Sequence, residues 1–220
     1  MKIKELGIWI GILVIILTIF WGLIALVNTN NPSSGHTSQT GTPAKVSKED
    51  ITLGTADKAK VTLIEYADFQ CPACSTYAEF VKQLNKDFGS NLFIVYRLFP
   101  LTNIHKNAMS SAQVAVAAHK QNKFWEMSEL LYQNQASWAD STSVLQIFTD
   151  YAKKLNLNID QFTSDYNADS TKKFINKEEN EGTSIGITYT PSFFVNGKLI
   201  ENPQDYATFR QIIQNALNSR

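Results

Sequence analysis

The sequence predicts an α/β domain with a helical middle, carried behind a single transmembrane helix. Three observations predict it. Two apolar, β-favouring runs, at 61–69 and 91–99, flank a stretch with helical spacing. Near the C-terminus Asn196-Gly197 separates two short apolar runs, the pattern of a β-hairpin. At the other end, residues 8–27 run without a charge.

That first run, IWIGILVIILTIFWGLIALV, is long enough at about 1.5 Å per residue to span the hydrocarbon core of a bilayer. Its Ile, Leu, Val and Phe residues contribute roughly −0.3 to −0.6 kcal/mol each, so insertion is favoured by several kcal/mol. Lys2 and Lys4 precede the run, and the next basic residue after it is Lys45. The positive-inside rule then sets residues 1–7 in the cytoplasm and everything after the anchor outside, in a single-pass cell-membrane protein. A cleaved signal peptide is the alternative. Its apolar region is usually shorter, and Ala25-Leu26-Val27 makes a poor cleavage site. Residues 28–50 are rich in Asn, Ser, Thr, Gly and Pro and read as a flexible linker. His36 within it reads as a solvated residue rather than a metal ligand.

The folded domain is expected over 51–220. Val61–Phe69 reads as a buried strand. After Cys71-Pro72 a helix runs to Phe88, with Tyr77, Phe80, Val81, Leu84 and Phe88 at helical spacing and Gly89 as its C-terminal cap. Asn91–Phe99 is a second strand, which makes a βαβ unit with parallel pairing and a right-handed crossover. A helical insertion follows over about 103–182. It comprises Ala108–His119, Phe124–Gln133, Ser141–Leu155 with Ser141 as N-cap, Asp160–Tyr166 and Thr171–Gly182. The hairpin at 191–200 and a last helix capped by Asp205 close the chain.

Lys+Arg and Asp+Glu are equal at 20 each, so nothing in the charge balance argues for nucleic acid. The cysteine count is more informative. There are two, Cys71 and Cys74, three positions apart. A bridge over so short a loop removes little chain entropy and would be a poor staple. A zinc site usually needs four ligands, whereas the chain offers one Cys pair and three scattered histidines, so no metal is expected.

Cys71-Pro72-Ala73-Cys74 lies where a strand meets a helix. One helical turn brings two sulfurs into bonding range, so a disulfide can open and close without unfolding anything. The first sulfur sits near the helix N-terminus, where unpaired N–H groups favour a thiolate. Cys71 is therefore the expected exposed, attacking sulfur and Cys74 the buried, resolving one. Pro72 suits the first turn, since the N–H it lacks would have been unpaired there. Glu65 stands six residues before Cys71, on the strand face shared with Val61 and Leu63. By itself it reads as a partly solvated strand-end glutamate. Asp68, nearer the loop, reads as exposed.

The strand–CPAC–helix start, the helical insertion and Thr190-Pro191 before a hairpin resemble the thioredoxin fold in its DsbA-like branch, from about Asp50 to the end. The resemblance implies a thiol:disulfide oxidoreductase without a cofactor, acting as an extracytoplasmic protein dithiol oxidase. It implies a cis Thr190–Pro191 bond that exposes backbone to an extended substrate beside Cys71. It also implies that Glu65 is buried and exchanges a proton with Cys74. Exported cysteine-containing proteins would be the substrates, and a quinone-coupled membrane partner would reoxidise a monomeric enzyme. One departure is Ala73, where the enteric DsbA type carries a thiolate-stabilising histidine. His105 reads as a packing or capping residue. A disulfide reductase or isomerase, and a tethered chaperone-like binding module, are the alternatives.

Overall fold

The computed structural model describes residues 41–219; the expected anchor at 8–27 and the linker to residue 40 lie outside the described residues. No helix among the described residues is long and apolar enough to cross a membrane. At the centre are the two expected strands, β2 (Val61–Ala67) and β3 (Leu92–Leu98). They pair in parallel from Val61↔Leu92 to Ala67↔Leu98. Helix α1 (Pro72–Phe88) makes the crossover between them, and Gly89 ends it at φ 48, a backbone angle glycine adopts without strain.

The hairpin forms as the Asn-Gly pair requires. β4 (Ser192–Val195) and β5 (Lys198–Ile200) turn through Asn196 and Gly197, both with positive φ. β4 lies antiparallel on the free side of β2. A short strand that the sequence did not announce, β1 (Ile51–Leu53), pairs antiparallel with β3, so the sheet order is β1-β3-β2-β4-β5. Three residues carry too little alternation to be read as a strand.

The helical block lies between β3 and β4. It comprises α2 (Ala108–His119), α3 (Phe124–Gln133), α4 (Gln135–Trp138), α5 (Val144–Lys154), α6 (Ile159–Asn167) and α7 (Asp169–Ser184). Helix α5 begins later than expected. Ser141 does not cap it; its hydroxyl accepts from Ser143 N at 3.0 Å and closes a turn ahead of the helix. α4 is a single turn and left no periodic trace. The last helix, α8 (Tyr206–Asn218), is capped as expected by Asp205, whose Oδ1 accepts from Thr208 N.

The helical block shares one core with the sheet end that carries the cysteines, where Phe69, Cys74, Tyr96, Phe124, Tyr132 and Trp138 pack together. Helices α1 and α8 cover another region, around Leu84, Phe193, Phe209 and Ile213. Residues 44–50, which the sequence assigns to the linker, belong to the domain. Arg97 on β3 is buried, and its guanidinium donates to Asp50 Oδ1 and the Ala44 carbonyl, both at 3.0 Å. A buried guanidinium needs acceptors, and this polar stretch supplies them.

Candidate active site

The chain leaves β2 at Ala67, turns through Asp68–Gln70 and enters α1 at Pro72, with Cys71 as the extended residue before the helix. Asp68 organises the turn. Its backbone carbonyl accepts from Cys71 N at 3.1 Å. Its carboxylate accepts from Gln70 N at 2.8 Å and Leu101 N at 3.0 Å, and lies 2.7 Å from His105 Nδ1. Asp68 is therefore 2% exposed, not solvated as the sequence suggested. The reason is that loop 99–107, remote in sequence, folds over the turn and brings its donors with it. His105, expected in a packing or capping role, pairs through Nδ1 with this buried carboxylate.

Both cysteines are free thiols. Cys71, expected to be exposed, is itself 7% exposed, against 0% for Cys74. The expected order holds, but the nucleophile is recessed. Its Sγ lies 3.4 Å from the Thr190 carbonyl oxygen. The Thr190–Pro191 bond is cis. The Cys71 thiol is lowered to about 6, chiefly because the Cys74 thiol hydrogen-bonds to it, against an opposing effect of burial. The first-turn N–H groups of Cys74 and Ala73 help, and so does the Thr190 side chain. The Thr190 hydroxyl is buried with no other partner among the described residues. Cys74 goes the other way. Burial pushes its thiol well up, and the neighbouring Cys71 and Glu65 charges add to the shift.

Glu65 is 2% exposed, with Oε1 lacking a partner among the described residues, and burial pushes its carboxyl up to about 8. It lines a groove of about 190 Å³ between α1 and α3, whose walls include Ala78, Lys82, Tyr96, Trp125 and Tyr132. Of the site residues expected from the sequence, Cys71, Pro72, Ala73 and Cys74 open α1, Thr190 before the cis Pro191 meets the Cys71 sulfur, and Glu65 lies near enough for its charge to raise Cys74. Several residues around the turn gave no sequence signal. Gln135 donates to the Phe69 and Cys71 carbonyls, and Asn107 and Gln70 hydrogen-bond each other. Their partners lie tens of positions away, and an amide in a polar loop has no periodicity to betray it.

A strand-to-helix dithiol with one lowered and one raised thiol, facing the carbonyl of the residue before a cis proline, defines a thioredoxin-type redox site. The family model described as thioredoxin matches residues 46–215, and the chain belongs to that family. Among solved structures, BdbD from Bacillus subtilis in its oxidised form is similar, with TM-score 0.71 and 22% identity, over 81% of this chain and 97% of that one. The alpha-DsbA1 of Wolbachia pipientis matches with TM-score 0.69 and 22% identity over 80% and 94% of the two chains. MdbA, a thiol-disulfide oxidoreductase from Corynebacterium diphtheriae, matches with TM-score 0.64 and 17% identity over 85% and 99%. The fold, helical insertion included, is thus that of the DsbA type. Curated relatives named Na(+)/H(+) antiporter NhaA 1 also match. The one from Mycolicibacterium gilvum is 32% identical over 71% of this chain. The chain spans about a quarter of the length of that relative.

Proposed function

We propose that this chain is an extracytoplasmic thiol:disulfide oxidoreductase that introduces disulfides into exported proteins through Cys71 and Cys74. The observation that carries the reading is the split between the thiols, one lowered to about 6 and its neighbour pushed well up, at the N-terminus of α1.

In the oxidised enzyme a substrate thiolate attacks Cys71 Sγ. The Cys71–Cys74 bond breaks, and Cys74 leaves as a thiolate that takes up a proton. Glu65, which holds its proton up to about pH 8, would supply it, directly or through water. The substrate's second thiolate then attacks the substrate sulfur of the mixed disulfide. A substrate disulfide forms and Cys71 departs as a thiolate. Two electrons pass from the substrate dithiol to the enzyme. A leaving thiol as acidic as Cys71 favours this direction over reduction. Thr190 and Pro191 present backbone for an extended substrate segment beside the sulfur.

Residues 8–27 would tether the domain outside the membrane, with residues 1–7 in the cytoplasm. A quinone-coupled membrane partner would accept the two electrons and restore the disulfide. The test is the reduction potential. An oxidase should lie well above the roughly −270 mV of thioredoxin; a value near that figure would point to a reductase. Cys74→Ala should trap mixed disulfides with exported proteins, and a binding module without redox chemistry would trap none.

A further inference from the structure

Side-chain amides stitch the turn before the redox pair to the helical insertion. Gln135, the first residue of α4, donates from Nε2 to the carbonyl oxygens of Phe69 at 2.7 Å and Cys71 at 3.0 Å. Gln70, inside the turn, donates to the Ala139 carbonyl at 2.8 Å and accepts from Asn107 N at 2.7 Å. Asn107 donates Nδ2 to the carbonyls of Trp138, Ala139 and Ser141 at 3.0, 3.0 and 2.9 Å. The gripped segment is itself fixed, because Trp138 is fully buried and its Nε1 donates to the Leu131 carbonyl at 2.8 Å.

The Cys71 carbonyl matters for a specific reason. It belongs to the peptide unit joining the nucleophile to α1, and Pro72 contributes no N–H. The first donors that can face the sulfur are the N–H groups of Ala73 and Cys74, so their aim depends on how that peptide is held. Within the helix the Cys71 carbonyl accepts from Ser75 N at a long 3.3 Å. Gln135 supplies the shorter bond, from outside the helix.

We propose that Gln135 is a positioning residue for the redox pair, through which the helical insertion sets how the first turn of α1 faces the Cys71 sulfur. The proposal rests on the dithiol reading of the site. Gln135 touches neither sulfur nor substrate; it acts through the carbonyls at 69 and 71. Losing its donor loosens the aim of the Ala73 and Cys74 N–H groups and destabilises the thiolate, hence the dithiol form. The enzyme then becomes a weaker oxidant.

The experiment compares the full-length chain with Gln135→Leu, which removes the donor, and Gln135→Glu, a near-isosteric change that sets an acceptor against two carbonyls. Gln135 is half-buried, so both changes are mild for the fold. Two quantities are read: the pH dependence of iodoacetamide alkylation at Cys71 in the reduced protein, and the equilibrium constant with glutathione. Both variants should alkylate at a higher midpoint pH. Gln135→Glu should shift the equilibrium about tenfold towards the disulfide form, equal to about 30 mV, with Gln135→Leu shifting it less. Unchanged midpoints and constants in both variants, even with lower melting temperatures, would overturn the proposal and leave Gln135 a structural tie. Should the unaltered chain fail to oxidise any protein dithiol while the alkylation midpoints still move, the functional reading falls and the positioning role stands.

Discussion

Two buried glutamates in this domain have nearly the same electrostatic history and different neighbours. Glu65 on β2 and Glu178 on α7 are both almost fully buried, and burial pushes each carboxyl from an ordinary 4.5 up to about 8. Each keeps one carboxylate oxygen without a partner among the described residues. Glu65, however, lies close enough to the dithiol for its charge to help raise Cys74. Glu178 accepts from Leu98 N at 2.7 Å and lines a cavity with Arg97, Asp50 and Glu181. A raised carboxyl is therefore not by itself a sign of chemistry. What separates the two is whether a neighbouring group gains or loses a proton in a reaction.

The comparison can be broken most sharply at the sulfur. Cys71→Ser should take dithiol oxidation to background, because a serine hydroxyl is a poor nucleophile at neutral pH and forms no disulfide; a chromogenic dithiol assay reads it. On the other side, Arg97→Met strands Asp50 and Glu181 without their shared cation. It should cost about 3 kcal/mol of stability by denaturant melts, with the reduction potential unmoved.

Glu65→Gln removes the proposed proton donor for Cys74 and should slow the exchange step roughly a hundredfold in stopped-flow. Glu178→Gln should leave that rate within about twofold, since it removes a carboxyl of the same acidity from a place where nothing reacts. A large kinetic effect of Glu178→Gln would erase the distinction between the two sites.

The smallest effect is in pH dependence. Each carboxyl has a folded-state pKa above its unfolded value, so its contribution to stability is fully present below about 4.5 and is lost as pH rises towards about 8. Both Gln variants should therefore flatten the stability profile over that window and gain about 2 kcal/mol near pH 7. Chemical denaturation at pH 5 and pH 8 measures it.

Much of this architecture was legible because its signals are local. The apolar runs at 61–69 and 91–99, the helical spacing after Cys71, the Asn196-Gly197 turn and the Asp205 cap each express a conformational preference within a few residues. The dithiol itself is a local motif. Other features failed to announce themselves. β1 is three residues long, and Ser141 offered the same hydroxyl as Ser143, two positions on. Asp68 looks like any loop aspartate until Leu101 and His105 arrive from the other side of β3.

The sequence by itself determined the order of strands and helices, the spacing of the two sulfurs and the residue types that surround them, because backbone preference and periodic burial act over short stretches of chain. Only the tertiary structure decided that the Cys71 sulfur is recessed, that Glu65 Oε1 has no partner among the described residues, that Arg97 binds residues 44–50 into the domain and that Gln135 reaches the Cys71 carbonyl. Those outcomes depend on desolvation and on donors tens of residues away, and both come into being only when the chain has closed on itself.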